Sequence, residues 1–434
     1  LLQKHGAGFE WLNINATGAY FNILKMKKKR ILIFSGDSIF PIIGMHQVRI
    51  FNQIKSLSAD HDVHCMFLYT KEIQKNESIK SLSLHCNKII PYRTFTQSLA
   101  FRILKKLLLK RVFSHLAYPL DYFESSNIIT ARLIANRISQ ENYDIVISHY
   151  WQASGVLKYL PEKLLKCIDT HYLVEENLDL YRKGYYKHIN KANLGYLLNK
   201  ELQLQNICFT NAGLLIVNSK LQKEILDTAG VYQSICIPNG QDLIDYLDYS
   251  PNDTLQDNNL LFYGALSNQF NQKALKRMLN AIFPQIRKVH HDIRLIIMGS
   301  GAPEWLIKLA GEEKAIEVTG FVEDVRPVFQ RSLMAIIPLE SGSGFRGRVI
   351  ELLASGVPVI GTTNALNSVG LDHGINGLIT DSDEEIVSYA LQLIGNANMR
   401  HKLSMEGKEF VRRNYSLEAT FGRLSQFFTE NPTI

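Results

Sequence analysis

Between Pro338 and Glu351 the chain runs Pro-Leu-Glu-Ser-Gly-Ser-Gly-Phe-Arg-Gly-Arg-Val-Ile-Glu. Gly342, Gly344 and Gly347 let backbone N–H groups approach a ligand closely, and the helix after them turns its positive end to the same place. Arg346 and Arg348 add fixed charge on a planar fork suited to phosphate. Glu351, about one turn further in, can accept hydrogen bonds from a vicinal diol such as a ribose. Phosphate recognition followed by a diol acceptor is the chemistry of nucleotide binding. Taken singly, the same residues have ordinary explanations. Glycines after a strand make a tight turn, and Arg348 with Glu351 is an i,i+3 helix pair.

Such a loop needs a strand before it and a helix after it, and the whole chain is patterned that way. Short apolar runs occur at 30–34, 63–68, 144–148, 166–169, 214–218 and 234–237, then at 260–264, 293–298, 315–319, 334–338 and 357–361, with helical periodicity between them. Continuous Val/Ile/Leu runs alternating with helices predict α/β domains whose parallel sheets are covered on both faces. The polar, aperiodic stretch 245–259 reads as a linker between two such domains. Open sheets of this kind bind ligands beyond their strand C-termini.

At 434 residues two domains are expected, and 46% hydrophobic with 21% charged residues is ordinary globular composition. Cys65, Cys86, Cys167, Cys208 and Cys236 are scattered without metal spacing, which points to a reducing, cytoplasmic setting and no structural zinc. The net charge of +7 fits an anionic ligand or a membrane surface, and no nucleic-acid-binding signature is present. No apolar run reaches transmembrane length. Residues 101–113 are basic and apolar at once: Phe101, Leu104, Leu108 and Val112 share one face, and Arg102, Lys105, Lys106 and Lys110 another. Two readings stand open, peripheral contact with an anionic membrane and packing on the parent domain. Residues 1–25 differ in character from the chain beyond Met26 and read as an N-terminal extension of unassigned role.

From about Lys29 onward the chain resembles glycosyltransferase family 4, retaining enzymes of the GT-B fold. The resemblance rests on Asn-Asn-Leu-Leu-Phe-Tyr-Gly-Ala-Leu from Asn258, Arg-Leu-Ile-Ile-Met-Gly-Ser-Gly from Arg294 and Val-Thr-Gly-Phe-Val-Glu-Asp-Val-Arg from Val318. It continues through the glycine loop before Glu351, the segment Gly-Leu-Asp-His-Gly-Ile-Asn-Gly-Leu from Gly370, and Arg-Asn-Tyr-Ser from Arg413. It implies two Rossmann-like domains facing a cleft: an acceptor domain over 26–245, a linker over 246–258, a donor domain over 259–415, and a last helix, 416–434, crossing back to the first domain. The implied donor contacts are Gly44, Gly264, Lys273, Glu340, Ser343, Gly344, Phe345, Arg346, Arg348 and Glu351. Glu351 would hold the ribose and the loop before it the pyrophosphate. Where many members have a sugar-binding glutamate this chain has Ser343, with Glu340 three residues back. Where many have a phosphate-binding arginine it has Ala265, with Lys273 the nearest lysine.

In the first half, Pro-Ile-Ile-Gly-Met-His-Gln-Val-Arg from Pro41 stands where the family has a Gly-Gly loop. Gly44 could show its backbone to a phosphate with Arg49 reinforcing it, or the segment could be a plain βα turn. Asp169-Thr170-His171 resembles the loop whose histidine meets the transferred sugar, making His171 and Arg346 the catalytic candidates. His149 and Trp151, just past another strand, are candidates for an acceptor pocket or for packing inside the domain. The resemblance implies transfer from a nucleotide-diphosphate sugar to a glycan or lipid-linked acceptor, with no cofactor and no metal, in the cytoplasm or at the inner membrane face. The alternatives are a non-catalytic GT-B protein that binds a nucleotide sugar or a protein partner, and a sugar-nucleotide epimerase. For the epimerase no suitably placed carboxylates are evident.

Overall fold

The computed structural model of the chain describes residues 28–42, 44–93, 128–182, 191–247, 258–340 and 346–431. The N-terminal extension, the basic segment 101–113, linker residues 248–257 and Ser343, Gly344 and Phe345 of the glycine loop lie outside the described residues.

Two parallel sheets make up the molecule. The first contains β1 (Arg30–Ser35), β2 (Asp62–Tyr69), β3 (Lys88–Arg93), β4 (Ile145–His149), β5 (Leu165–Asp169), β6 (Leu214–Val217) and β7 (Ser234–Cys236), in the order β3-β2-β1-β4-β5-β6-β7. The second contains β8 (Asn259–Tyr263), β9 (Arg294–Met298), β10 (Ile316–Gly320), β11 (Met334–Ile337), β12 (Val359–Gly361) and β13 (Leu378–Ile379), in the order β10-β9-β8-β11-β12-β13. Both are the doubly wound sheets that the continuous apolar runs predict. In each, the strand order reverses beside the first strand, between β1 and β4 and between β8 and β11. The crevice at that switch point is where a sheet of this kind offers a ligand site.

Successive side chains of a strand face opposite sides, so each central strand feeds two cores. Ile31 and Ile33 of β1 pack with Ile50 and Ile54 of the Met45–Leu57 helix, while Leu32 and Phe34 join Trp151 and Val156 on the other face. Burial on both faces is why these strands read as unbroken hydrophobic runs. The second domain has one continuous core around β8, β9 and β11.

Two strands have no counterpart among the predicted runs. β3 contains Pro91 and is only partly buried, and β13 is two residues long. Both are edge strands, where proline and brevity are tolerated and the apolar signal is weakest.

The chain returns to its first domain at the end. Gln241 N–H donates to the Tyr415 carbonyl at 2.9 Å, and Gln241 pairs with Ser416 in a short bridge. Phe421, Leu424 and Phe428, on the last helical turns, are buried in the same cluster as Ile31, Ile33 and Ile54. The hinge segment after β7 is thereby held between the Met45–Leu57 helix and the C-terminal helix. Asn52 donates to the Gly240 carbonyl at 3.0 Å, and Lys55 pairs with Asp242.

Candidate active site

Both switch points carry polar groups that the surrounding packing orders. In the first domain His149 ends β4 and Asp169 ends β5, and the two are register partners. Arg49 and Gln53 lie one helical turn apart on the Met45–Leu57 helix after β1, so they face the same crevice. Arg49 Nε donates to both carboxylate oxygens of Asp169, at 2.9 and 3.0 Å. Its Nη1 donates to the Pro238 carbonyl at 3.1 Å and to Asn239 Oδ1 at 2.9 Å. Gln53 Nε2 donates to Asp169 at 3.1 Å, and its carbonyl lies 2.9 Å from His149 Nε2. His149 Nδ1 lies 2.9 Å from His171 Nε2.

The electrostatics follow from burial. The Arg49 and Asp169 side chains are 1% and 0% exposed. Burial alone raises the Asp169 carboxyl, but the Arg49 guanidinium, joined by His171 and His149, outweighs it and holds the group below the ordinary carboxylate range. Burial pushes His149 down to about 4 and His171 well below its ordinary value, so both imidazoles are neutral near pH 7. His149, Asp169 and His171 are the one group of three or more among the described residues whose ligand-type atoms lie within 4.8 Å of one another. Asp169 already accepts from Arg49 and Gln53, and the guanidinium supplies the positive charge that a cation would bring.

Backbone strain concentrates here. Tyr150 and His171 are the non-glycine residues at positive φ among the described residues, at 66° and 60°. Their rings stack at 4.1 Å and 13°. The Tyr150 N–H donates to the Asp169 carbonyl at 2.9 Å, and Asn218 donates to the His171 carbonyl at 2.7 Å. Left-handed backbone at residues of this size costs roughly 1–3 kcal/mol each and marks sites held for a purpose.

In the second domain, Tyr263 ends β8, and its hydroxyl donates to Glu351 at 2.9 Å. The Arg348 guanidinium lies over the Tyr263 ring, 5.4 Å from its centroid. Burial raises the Glu351 carboxyl, with Tyr263 and Arg348 opposing. Burial lowers Arg346, and Arg348 lowers it further. A Cβ at Gly264 would stand 3.2 Å from Arg348 Nη1, so the glycine after β8 and this arginine share one pocket. The neighbouring glycine is required too. Gly299 has φ 151°, and a Cβ there would lie 1.7 Å from the Gly264 carbonyl oxygen. Lys273 and Glu340 form an ion pair with each other, their side chains 66% and 43% exposed on the rim.

The two halves meet at Gly347. A Cβ there would lie 2.9 Å from Met45 Cε and 2.9 Å from Gln241 Nε2. The Gly347–Ala354 helix therefore starts against the first residue of the Met45–Leu57 helix. His46, next along, has its ring 5.7 Å from Tyr150, which stacks on His171. A run of contacts thus links the start of the Gly347–Ala354 helix, through Met45, His46 and Tyr150, to His171.

At four residues for which two readings stood open, the surroundings match the packing reading. His149 and Trp151 are both 0% exposed, so neither forms an acceptor pocket. Trp151 opens the helical turn after β4 and packs in the core, because a large apolar ring there fills the space between sheet and helices. His149 is an internal partner of His171. The Gly44 N–H donates to Gln47 Oε1 at 3.1 Å, so a side chain takes the group expected to face a phosphate. Arg49 turns inward to Asp169. Gln53 has no local signal in the sequence, being one polar residue on a helix, and Asn239 lies in Pro238-Asn239-Gly240, a sequence that signals a turn and not a contact with Arg49.

Residues 257–396 match the family model Glycosyl transferases group 1. An uncharacterized 44.6 kDa protein in the cps region of Klebsiella pneumoniae is 22% identical over 424 residues, covering 93% of this chain and all of the relative. Among solved structures, sucrose-phosphate synthase from Thermosynechococcus elongatus superposes with a TM-score of 0.65 at 14% identity, covering 93% of this chain and 99% of that one. HepE from Anabaena, solved in complex with UDP and glucose, superposes with a TM-score of 0.59 at 13% identity, covering 92% and 99%. The fold is GT-B, and the matched family segment spans the half that carries Tyr263, Arg346, Arg348 and Glu351.

Proposed function

We propose that a chain with this fold and this donor half transfers a sugar from a nucleotide-diphosphate donor to an acceptor hydroxyl, with retention at the anomeric carbon. The observation that carries the reading is the contact of Gly347 with Met45, which joins the start of the arginine-bearing helix to the helix whose next residue, His46, lies beside the Tyr150 ring stacked on His171. The family match over 257–396 and the UDP and glucose bound by the Anabaena protein support a nucleotide-sugar donor.

On this reading Glu351 and Tyr263 recognise the ribose, and Arg346 and Arg348 face the diphosphate. As the bond to the anomeric carbon breaks, negative charge grows on the leaving diphosphate. The two guanidiniums, fixed in a partly buried site, stabilise it without reorganising. His171, neutral and held by its stack and backbone bonds, contacts a hydroxyl of the transferred sugar. Arginine provides the positive charge, so the reaction needs no metal. The acceptor is a glycan or lipid-linked glycan, consistent with a relative in a cps region. We place the reaction in the cytoplasm or at the inner membrane face; no helix among the described residues is long and apolar enough to cross a membrane.

The test is a thermal-shift panel of UDP-, GDP-, ADP- and dTDP-sugars, with Arg346→Ala as control. The expected result is stabilisation of the wild type by one donor class and none of the variant. No response to any donor would move the reading to a non-catalytic GT-B protein. Once a donor and acceptor are paired, the anomeric proton coupling of the product decides between retention and inversion.

A further inference from the structure

We propose that Gln53 and His149 are positioning residues that fix the tautomer of His171, placing its proton on Nε2 and leaving Nδ1 as a bare acceptor for a substrate hydroxyl. The role for Nδ1 rests on the proposed sugar transfer. The assignment of the proton rests on hydrogen-bond chemistry alone.

The constraint originates at Asp169. An ionised carboxylate only accepts, so the Gln53 atom 3.1 Å from it is the amide nitrogen. The Gln53 carbonyl must then point the other way, at His149 Nε2, 2.9 Å distant. A carbonyl only accepts, so His149 carries its proton on Nε2. A neutral imidazole has one N–H, which makes His149 Nδ1 an acceptor. His171 Nε2 lies 2.9 Å from it and must donate. His171 Nδ1 is left with its lone pair and with no hydrogen-bond partner among the described residues.

Each link is buried: Gln53, His149 and Asp169 are 0% exposed, so water does not compete for these bonds. Burial and the adjacent Arg49 charge keep both imidazoles neutral, the condition on which the relay depends. The positive φ of His171, together with the Tyr150 ring stacked on it, fixes the ring plane that this tautomer needs. The end of the relay with no choice is Arg49, whose Nε–H can only donate to Asp169. A buried arginine thereby decides, through three side chains, which face of His171 accepts.

Long-range proton–nitrogen NMR on the full chain, labelled at histidine nitrogen, reads the tautomer directly, and His171→Asn identifies the His171 signals. The expected spectrum at neutral pH has His171 protonated at Nε2 and bare at Nδ1. A proton on Nδ1, an imidazolium or an even mixture would overturn the proposal, whether or not a donor is ever found. Gln53→Met keeps the length of the side chain and removes both hydrogen bonds. It should mix the tautomers and lower kcat by about tenfold or more, with donor Kd unchanged within about twofold. Mixed tautomers with an unchanged kcat would remove the positioning role. If Gln53→Met fails to fold, the wild-type spectrum still decides the proton. Failure of every nucleotide sugar to bind would refute the functional reading and, with it, the role of Nδ1; the tautomer would still be settled by the spectrum.

Discussion

Replacing Arg49 with methionine should destabilise the protein strongly at neutral pH and much less in acid. The guanidinium is 1% exposed against a carboxylate that is 0% exposed, so its removal leaves Asp169 charged and buried, with Gln53 its one remaining side-chain hydrogen bond among the described residues. Breaking one side of a buried ion pair costs about 3–5 kcal/mol. Domains of this size lose about 2–4 °C of melting temperature per kcal/mol, so the expected fall is about 6–20 °C. The pH dependence carries the sharper signature. In the wild type Asp169 lies below its unfolded value of about 3.9, so its contribution is present above that pH and is lost as pH falls through the folded value. Without Arg49, burial raises the carboxyl above the unfolded value. The penalty is then complete at neutral pH and disappears as the group protonates, below about pH 4. The gap between wild type and Arg49→Met should therefore narrow steadily from pH 7 to pH 4, followed by scanning calorimetry and circular dichroism. Arg49→Met with Asp169→Leu should recover much of the loss, because a well-packed apolar pair can replace a buried ionic one. Equal melting temperatures at pH 7, or a gap constant down to pH 4, would refute the account of this pair.

Glu351→Ala should weaken donor binding by about 1.5–3 kcal/mol, roughly tenfold to a hundredfold or slightly more, through lost charge-assisted hydrogen bonds; calorimetric titration with an unchanged Kd would take Glu351 out of the site. His171→Ala should lower kcat by about a hundredfold or more while leaving donor affinity near wild type, and a wild-type rate would end its proposed role. Phe421→Ala empties a fully buried ring site between the last helix and β1, with Arg49 5.3 Å from the ring centroid. It should cost about 3–5 kcal/mol in urea unfolding, and a loss under about 1 kcal/mol would mean that the returning helix contributes little to the first domain.

The fold was legible because a strand buried on both faces has few polar positions to interrupt it, so β1, β8, β9 and β11 stand out as apolar runs, and β2 and β4 nearly so despite His64, Ser148 and His149. The strand and the helix that position Arg346, Arg348 and Glu351 were legible for a related reason. Their chemistry is local, three side chains within two helical turns, and spacing along the chain is spacing in the fold. Edge strands escaped notice where that rule weakens, as at β3 with Pro91.

Tertiary structure decided the rest. Arg49 and Asp169 are 120 positions apart, Gln53 and His149 96, and Arg49 and Asn239 190. No periodicity links such residues. They meet because parallel strands require crossovers, which set the ends of β4 and β5 beside the helix after β1. The same residue types in sequence, an arginine after a glycine turn and a histidine after a strand, suit either a ligand or a core. Burial chose the core for Arg49, His149 and Trp151, and left His171 with 7% of its side chain exposed. Whether a charged or polar group serves a substrate or another side chain depends on its surroundings in space, and the sequence states only its neighbours along the chain.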